Sequence, residues 1–228
     1  MKKAQNHMDM IGRIEHTILN PHISVPDFIK QIREARRYAF ANITIFPGMA
    51  AQARELIHSP ICCVIGFPCG NMSTRAKLSE VNSLLESTSI EELDIVAPTH
   101  HLKNGDTEKY EKELRDILFG IPRHIVTKII IETPVLTVDE IETASKIVQS
   151  VGAEYVKTAT GMYGPTLPSH LESIRHSGTS CKIKASGGIK TAADVRLMLY
   201  AGADRIGTSN GIEIAKEVYL EHQTARKT

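Results

Sequence analysis

The chain repeats one pattern eight times. A short apolar or β-branched run is followed by a longer segment of helical period, and then another short run begins. The runs are IEHTIL (14–19), NITIF (42–46), CCVIGF (62–67), ELDIVA (92–97), KIIIET (128–133), YVKTAT (155–160), KIKASG (182–187) and RIGTS (205–209). Helix candidates fall between or after them at 25–38, 48–57, 73–87, 106–119, 137–151, 166–178, 191–200 and 210–222. Some carry boundary signals. Thr137 reads as an N-cap ahead of acids in a first turn, with Gly152 closing that segment, and Thr191 and Gly202 bracket another. Strands that alternate with helices pair in parallel. Eight such units fit an α/β chain closed into a single (β/α)₈ TIM barrel. The alternative, a doubly wound open sheet, wants a glycine fingerprint after its first strand, and IEHTILNPH has no glycine. No linker or low-complexity segment divides the 228 residues. They read as one domain, with 1–12 as an N-terminal extension or short helix and 223–228 as a frayed tail.

Composition narrows the function classes. The net charge is +1 and there is no long basic run, which argues against a nucleic-acid surface. No stretch of about 18 apolar residues is present to span a membrane. The start, MKKAQNHMDMIGRIEH, has no apolar stretch after its lysines and is not a signal peptide. Cys62, Cys63, Cys69 and Cys181 show neither a CxxC pair nor zinc spacing. They read as buried thiols in a reducing compartment, the cytoplasm. No metal is expected. His16 falls on the opposite strand face from Glu15, and His100 and His101 are adjacent in a loop after the fourth strand, a poor arrangement for chelation.

Side chains alternate across a strand, and in a barrel one set meets the helices while the other fills the interior. The mainly apolar sets, such as Leu93 with Ile95 and Ile183 with Ala185, suit the helix side. The remaining sets bring Lys157, Lys184, Asp94, Glu15 and Thr17 toward one interior. A neutral lysine amine attacks a carbonyl to give a Schiff base, and the protonated imine is an electron sink for making or breaking a C–C bond. At an unperturbed pKa near ~10.4, only about one amine in a few thousand is neutral at pH 7. Lowering it to about 7 needs about 4–5 kcal/mol of differential stabilisation. Burial beside a second cation supplies such a shift. Lys157 is the candidate nucleophile, Lys184 the neighbouring cation and Asp94 the proton relay. Two lysines and an acid are equally the parts of a structural ion-pair network, and the residues alone leave both readings open.

Glycines mark the loops after the last two strands. Gly187 and Gly188 lie after strand seven, and Gly207, Ser209 and Asn210 after strand eight. Glycines let backbone N–H groups approach an anion, and these two loops are the usual phosphate site of the barrel architecture. Each also reads as a tight strand-to-helix turn.

With these elements in place, the sequence resembles the class I deoxyribose-phosphate aldolases from residue 14 to residue 212. VKTATG (156–161) and KASGGIKT (184–191) carry the resemblance most specifically, supported by AGADRIGTS, VIGFPCG, KIIIET and ELDIVAP. It implies a TIM barrel with no metal or organic cofactor, acting on small sugar-phosphate and aldehyde substrates. The implied reaction joins acetaldehyde to glyceraldehyde 3-phosphate reversibly. By motif, Lys157 is the Schiff-base lysine, Lys184 its pKa-lowering cation, Asp94 the relay and Lys128 a further active-site lysine at the start of its strand. Gly187, Gly188, Gly207 and Ser209 match phosphate-loop positions. There are departures. Glu15 stands where the family usually has Asp, and the extra methylene moves a carboxylate expected on the sugar hydroxyls. Thr44 replaces a frequent cysteine, Asn210 a phosphate-loop serine, and the 162–168 loop has its own sequence. A different aldehyde acceptor and a catalytically silent sugar-phosphate-binding barrel are the alternatives. The chain is compatible with a homodimer or higher homo-oligomer.

Overall fold

The computed structural model describes residues 9–225. Residues 1–8 of the expected extension and 226–228 of the expected tail lie outside them. Eight parallel strands form a closed barrel in chain order: β1 (Ile14–Ile18), β2 (Asn42–Ile45), β3 (Ile61–Ile65), β4 (Glu92–Val96), β5 (Val126–Ile130), β6 (Tyr155–Lys157), β7 (Lys182–Ser186) and β8 (Arg205–Thr208). β1 closes the ring by pairing with both β2 and β8. The helices are α1 (Val25–Ala35), α2 (Ala50–Leu56), α3 (Thr74–Ser87), α4 (Thr99–Lys103), α5 (Thr107–Phe119), α6 (Val138–Ser150), α7 (Pro168–His176), α8 (Ala192–Tyr200) and α9 (Gly211–Ala225).

Local chemistry sets the helix starts. Ser24, Ser73, Thr137 and Thr191 cap α1, α3, α6 and α8, each accepting a backbone N–H of the first turn, and Thr137–Glu140 and Thr191–Asp194 form reciprocal capping boxes. One helix departs from the sequence expectation. His100 and His101 lie in α4, not in a loop, because a helix of five residues with no side-chain cap has neither a periodicity nor a start signal to read.

The barrel has two chemically different sides. The outward set includes Ile14, Ile18, Ile43, Ile45, Ile61, Ile65, Leu93, Ile95, Ile129, Val156, Ile183 and Ile206, all within one continuous apolar core under the helices. Fully burying such a side chain contributes roughly 1.5–3 kcal/mol. His16 also faces outward, stacked on Phe40 with ring centroids 5.4 Å apart, and burial lowers its pKa to about 4. The inward set carries the charge: Glu15, Asn42, Thr44, Glu92, Asp94, Lys128, Lys157 and Lys184 are all buried there, alongside a few apolar residues such as Val64 and Ile130. The helix layer thus supplies the apolar burial, which frees the interior for charge. A further buried lysine, Lys77 of α3, ties that helix to the end of β4 by donating to Val96 O (2.8 Å) and to α5 by donating to Glu113 Oε1 (2.8 Å).

Candidate active site

Six buried charges meet inside the barrel. Asp94, near the middle of β4, is the hub. Its Oδ2 accepts from Lys157 Nζ at 2.7 Å and Lys184 Nζ at 2.6 Å, and its Oδ1 pairs with Lys128 Nζ at 3.1 Å. Strand register explains the convergence: Asp94 lies opposite Lys128 across β4–β5, and Lys157 opposite Lys184 across β6–β7. Lys184 also pairs with Glu15, and Lys128 bonds Glu92 Oε2 at 2.5 Å and lies 3.4 Å from Glu15 Oε2. Three carboxylates therefore face three ammonium groups.

Burial favours the neutral form of each group, and the neighbouring charges decide the outcome. For Asp94, burial alone would raise the pKa, but Lys128, Lys157 and Lys184 together hold it well below the usual range. Glu15 is lowered in the same way by Lys128 and Lys184. Lys128 is pushed well above its ordinary value and Lys184 is raised, because their carboxylates outweigh burial. Lys157 alone of the three is lowered. Burial is the main cause, Asp94 opposes it, and the Lys184 charge adds to it. The nucleophile candidate is thus the lysine most easily made neutral.

Above the cluster, at the C-terminal ends of the strands, opens a cavity of about 500 Å³. Lys157 reaches it, as do Thr17, Thr160, Gly161, Gly187, Gly188, Lys190, Gly207, Ser209 and Asn210. A larger groove of about 890 Å³ lies outside the barrel between α3 and α5 and contains none of the interior charges. Gly187 and Gly188 adopt φ of 101° and 78°, a region open to glycine, and a Cβ on Gly188 would stand 2.8 Å from Pro165 Cβ. Asn210 precedes α9 and its carbonyl accepts from Ile214 N (2.9 Å), while its own N–H is taken by Thr208 Oγ1 (3.0 Å).

Several expected placements need correction. Gly207 lies within β8, not in the loop after it. A Cβ there would come within 2.9 Å of Lys184 Cε and 3.0 Å of Ser186 Cβ, so this glycine makes room for the lysine as well as lining the cavity. Lys128 is the middle residue of β5, which begins at Val126, because its charge is matched inside the barrel. Cys69 is exposed: it falls past the end of β3 and its Sγ lies 3.4 Å from Tyr163 Oη, while Cys62, Cys63 and Cys181 are buried.

Glu15 does not line the cavity but turns to Lys184 and Lys128 beneath it. Thr44 does not line the cavity either; it donates to Asn42 Oδ1 at 3.1 Å, and Asn42 in turn donates to Glu92. Glu92 went unread, although it shares a strand face with Asp94 and the alternation contains that signal. Cys62 was read only as a buried thiol. It lies 3.2 Å from Asp94 Oδ1 and 3.4 Å from Lys128 Nζ, and burial raises its pKa well above the ordinary value. Donor atoms of Glu15, Cys62 and Asp94 lie within 4.8 Å of one another, as a metal site requires, but ammonium groups already contact both carboxylates.

Glu132, just past β5, was also missed. It is the one non-glycine residue among those described with positive φ, at 59°, a conformation costing on the order of 1–3 kcal/mol. Its buried carboxylate accepts from Thr160 N at 3.2 and 3.1 Å, and burial raises its pKa.

No protein-family model matches the chain. Individual relatives do. A curated deoxyribose-phosphate aldolase from Clostridium botulinum is 36% identical over 214 residues, covering 92% of this chain and 100% of the relative. The solved structure of QR15, an aldolase, superposes with a TM-score of 0.90 at 33% identity, covering 95% of this chain and 98% of that one. The tetrameric deoxyribose phosphate aldolase from Aeropyrum pernix gives 0.82 at 30% identity, covering 95% of each chain. With that identity sustained along nearly the full length of both sequences, the chain belongs to the deoxyribose-phosphate aldolase family.

Proposed function

We propose that the chain is an aldehyde-lyase that cleaves 2-deoxy-D-ribose 5-phosphate reversibly to acetaldehyde and D-glyceraldehyde 3-phosphate through an imine on Lys157. The observation that carries this reading is one buried lysine, 4% exposed, at the floor of a cavity, with its nitrogen 2.7 Å from a carboxylate shared with a second lysine. The neutral Lys157 amine adds to the C1 aldehyde of the open-chain sugar, and loss of water gives a protonated imine. The C3 hydroxyl then loses its proton, the C2–C3 bond breaks, and its electron pair moves to the imine nitrogen as an enamine. Glyceraldehyde 3-phosphate departs. Protonation at C2 and hydrolysis of the imine release acetaldehyde and restore the amine.

Asp94 Oδ2 lies between the two lysine nitrogens. A proton leaving Lys157 has an acceptor beside it and an ammonium group behind that acceptor. The phosphate is assigned to Gly187, Gly188 and Ser209, with Asn210 at the start of α9, whose N-terminal end favours an anion. Lys190 adds positive charge to the same wall.

Among the described residues, no helix is long and apolar enough to cross a membrane. A cytoplasmic setting is proposed on four free thiols. A homo-oligomer is proposed on the precedent of the tetrameric Aeropyrum pernix protein.

Two experiments test the reading. Acetaldehyde with borohydride should trap an N-ethyl adduct, located by mass spectrometry on Lys157; an adduct on another lysine in active protein overturns the assignment. Lys184→Leu should move the pH at which cleavage appears upward, because the charge that helps lower the Lys157 pKa is gone. An unshifted pH profile contradicts the role given to Lys184.

A further inference from the structure

The loop that follows β6 forms one wall of the cavity through Thr160, Gly161 and Met162. Its base is pinned to the end of β7. The Thr158 and Thr166 hydroxyls lie 2.7 Å apart, each within hydrogen-bonding distance of Ser186 O, so one donates to the other and the second donates to that carbonyl, and Thr166 N donates to Gly187 O. The part that faces the cavity is tied elsewhere, through the Thr160 amide to Glu132.

Glu132 is built for that contact at a local cost. Its backbone adopts φ of 59°, where glycine is the unstrained choice, yet the position carries a long side chain whose carboxylate is buried. The kink sits between two backbone bonds that join β5 to β6, Ile131 N to Lys157 O (3.0 Å) and Thr133 N to Thr158 O (2.7 Å). It therefore aims the carboxylate across the adjacent strand end at Thr160, three residues past β6. On its other side Glu132 lines a separate cavity of about 300 Å³ with Val96, His100 and Tyr163. Thr160, which it holds, lines the larger of the two spaces, and the Lys157 charge acts on Glu132.

We propose that Glu132 is a positioning residue for the aldolase reaction: its carboxylate clamps the Thr160 amide and fixes the 160–162 wall against which the sugar chain is held after it bonds to Lys157. The inference rests on the imine reading above. The clamp acts on the wall and not on the amine, so it affects cleavage of the five-carbon sugar far more than addition of a two-carbon aldehyde. Backbone strain is kept at this position because the side chain has a task that glycine cannot perform.

The test compares Glu132→Gly and Glu132→Gln with the unaltered protein. Glycine removes the strain and the clamp together. The Gly variant should melt within a few degrees of the unaltered protein and lose at least about tenfold in kcat/KM for cleavage of 2-deoxyribose 5-phosphate, the tenfold step being the effect of one positioned contact. It should trap acetaldehyde on Lys157 at an unchanged rate. Glutamine keeps one acceptor oxygen and should restore cleavage to within about threefold. Unimpaired cleavage by the Gly variant overturns the clamp. So does a loss of trapping equal to the loss of cleavage, which would make Glu132 act on the lysine or on folding. Failure of the unaltered protein to form an adduct on Lys157 overturns the imine reading and this inference with it, whereas a normal adduct with unimpaired Gly-variant cleavage overturns the clamp alone.

Discussion

Lys157→Leu gives a folded barrel with cleavage of 2-deoxyribose 5-phosphate reduced by about four powers of ten, equivalent to about 5–6 kcal/mol in the barrier. Leucine cannot form an imine, and without the electron sink the C2–C3 bond has no low-energy route to break. The fold tolerates the change for a reason visible in the pairing. Asp94 still accepts from Lys184 at 2.6 Å and Lys128 at 3.1 Å, so no carboxylate is stranded. Lys157 is also the lysine whose ammonium form is least favoured by its surroundings. A circular-dichroism melt close to that of the unaltered protein, combined with lost turnover, is the expected pair of results. Retained turnover in Lys157→Leu would remove the basis of the proposed mechanism.

Asp94→Leu has the opposite signature, because here the scaffold itself gives way. Three buried ammonium groups lose their shared partner, and breaking a buried pair from one side costs about 3–5 kcal/mol. For a chain of this size that lowers the thermal midpoint by about 6–20 °C. The pH dependence follows from the signs of the shifts. Asp94 has a depressed pKa in the folded state, so its contribution is complete above the unfolded value of about 3.9 and is lost as pH falls toward the folded one. Lys128 and Lys184 have raised values, so theirs is complete below about 10.4 and is lost as pH rises through the folded ones. The deficit of Asp94→Leu should therefore be widest near neutrality. It should narrow in alkali, where Lys157, left without an ion-pair partner, can shed its proton. Scanning calorimetry at matched heating rates across pH 6–10 reads this directly. A constant deficit over that range would mean that the lost stability is not electrostatic.

The alternation of runs and helical segments was enough to read the barrel, because each strand needs one face for the helices and the helices carry their caps in the sequence. The faces were legible too. Lys157, Lys184, Asp94 and Glu15 share interior parity, and the structure brings them within hydrogen-bonding reach of one another through Asp94 and Lys184. The run KIIIET starts at Lys128, which puts this lysine at the head of its strand in the sequence. The strand in fact begins at Val126, and Lys128 is accommodated within it because Glu92 and Asp94 face it inside. Gly207 looked like a turn glycine because nothing in the local sequence tells that a lysine from β7 crosses over it. Glu132 was illegible for a different reason. A left-handed backbone at a glutamate runs against local preference, and only tertiary contacts hold it there.

The equal numbers of carboxylates and lysines inside the barrel have a consequence for the electrostatics of the reaction. A protonated imine carries the same single positive charge as the ammonium it replaces, so covalent attachment of an aldehyde leaves the electrostatic sum at the centre unaltered. The strands meet almost the same field before and after the substrate is bonded to them. The charge at the centre changes only at the neutral amine and the neutral enamine, and at Lys157 the displaced proton has Asp94 beside it.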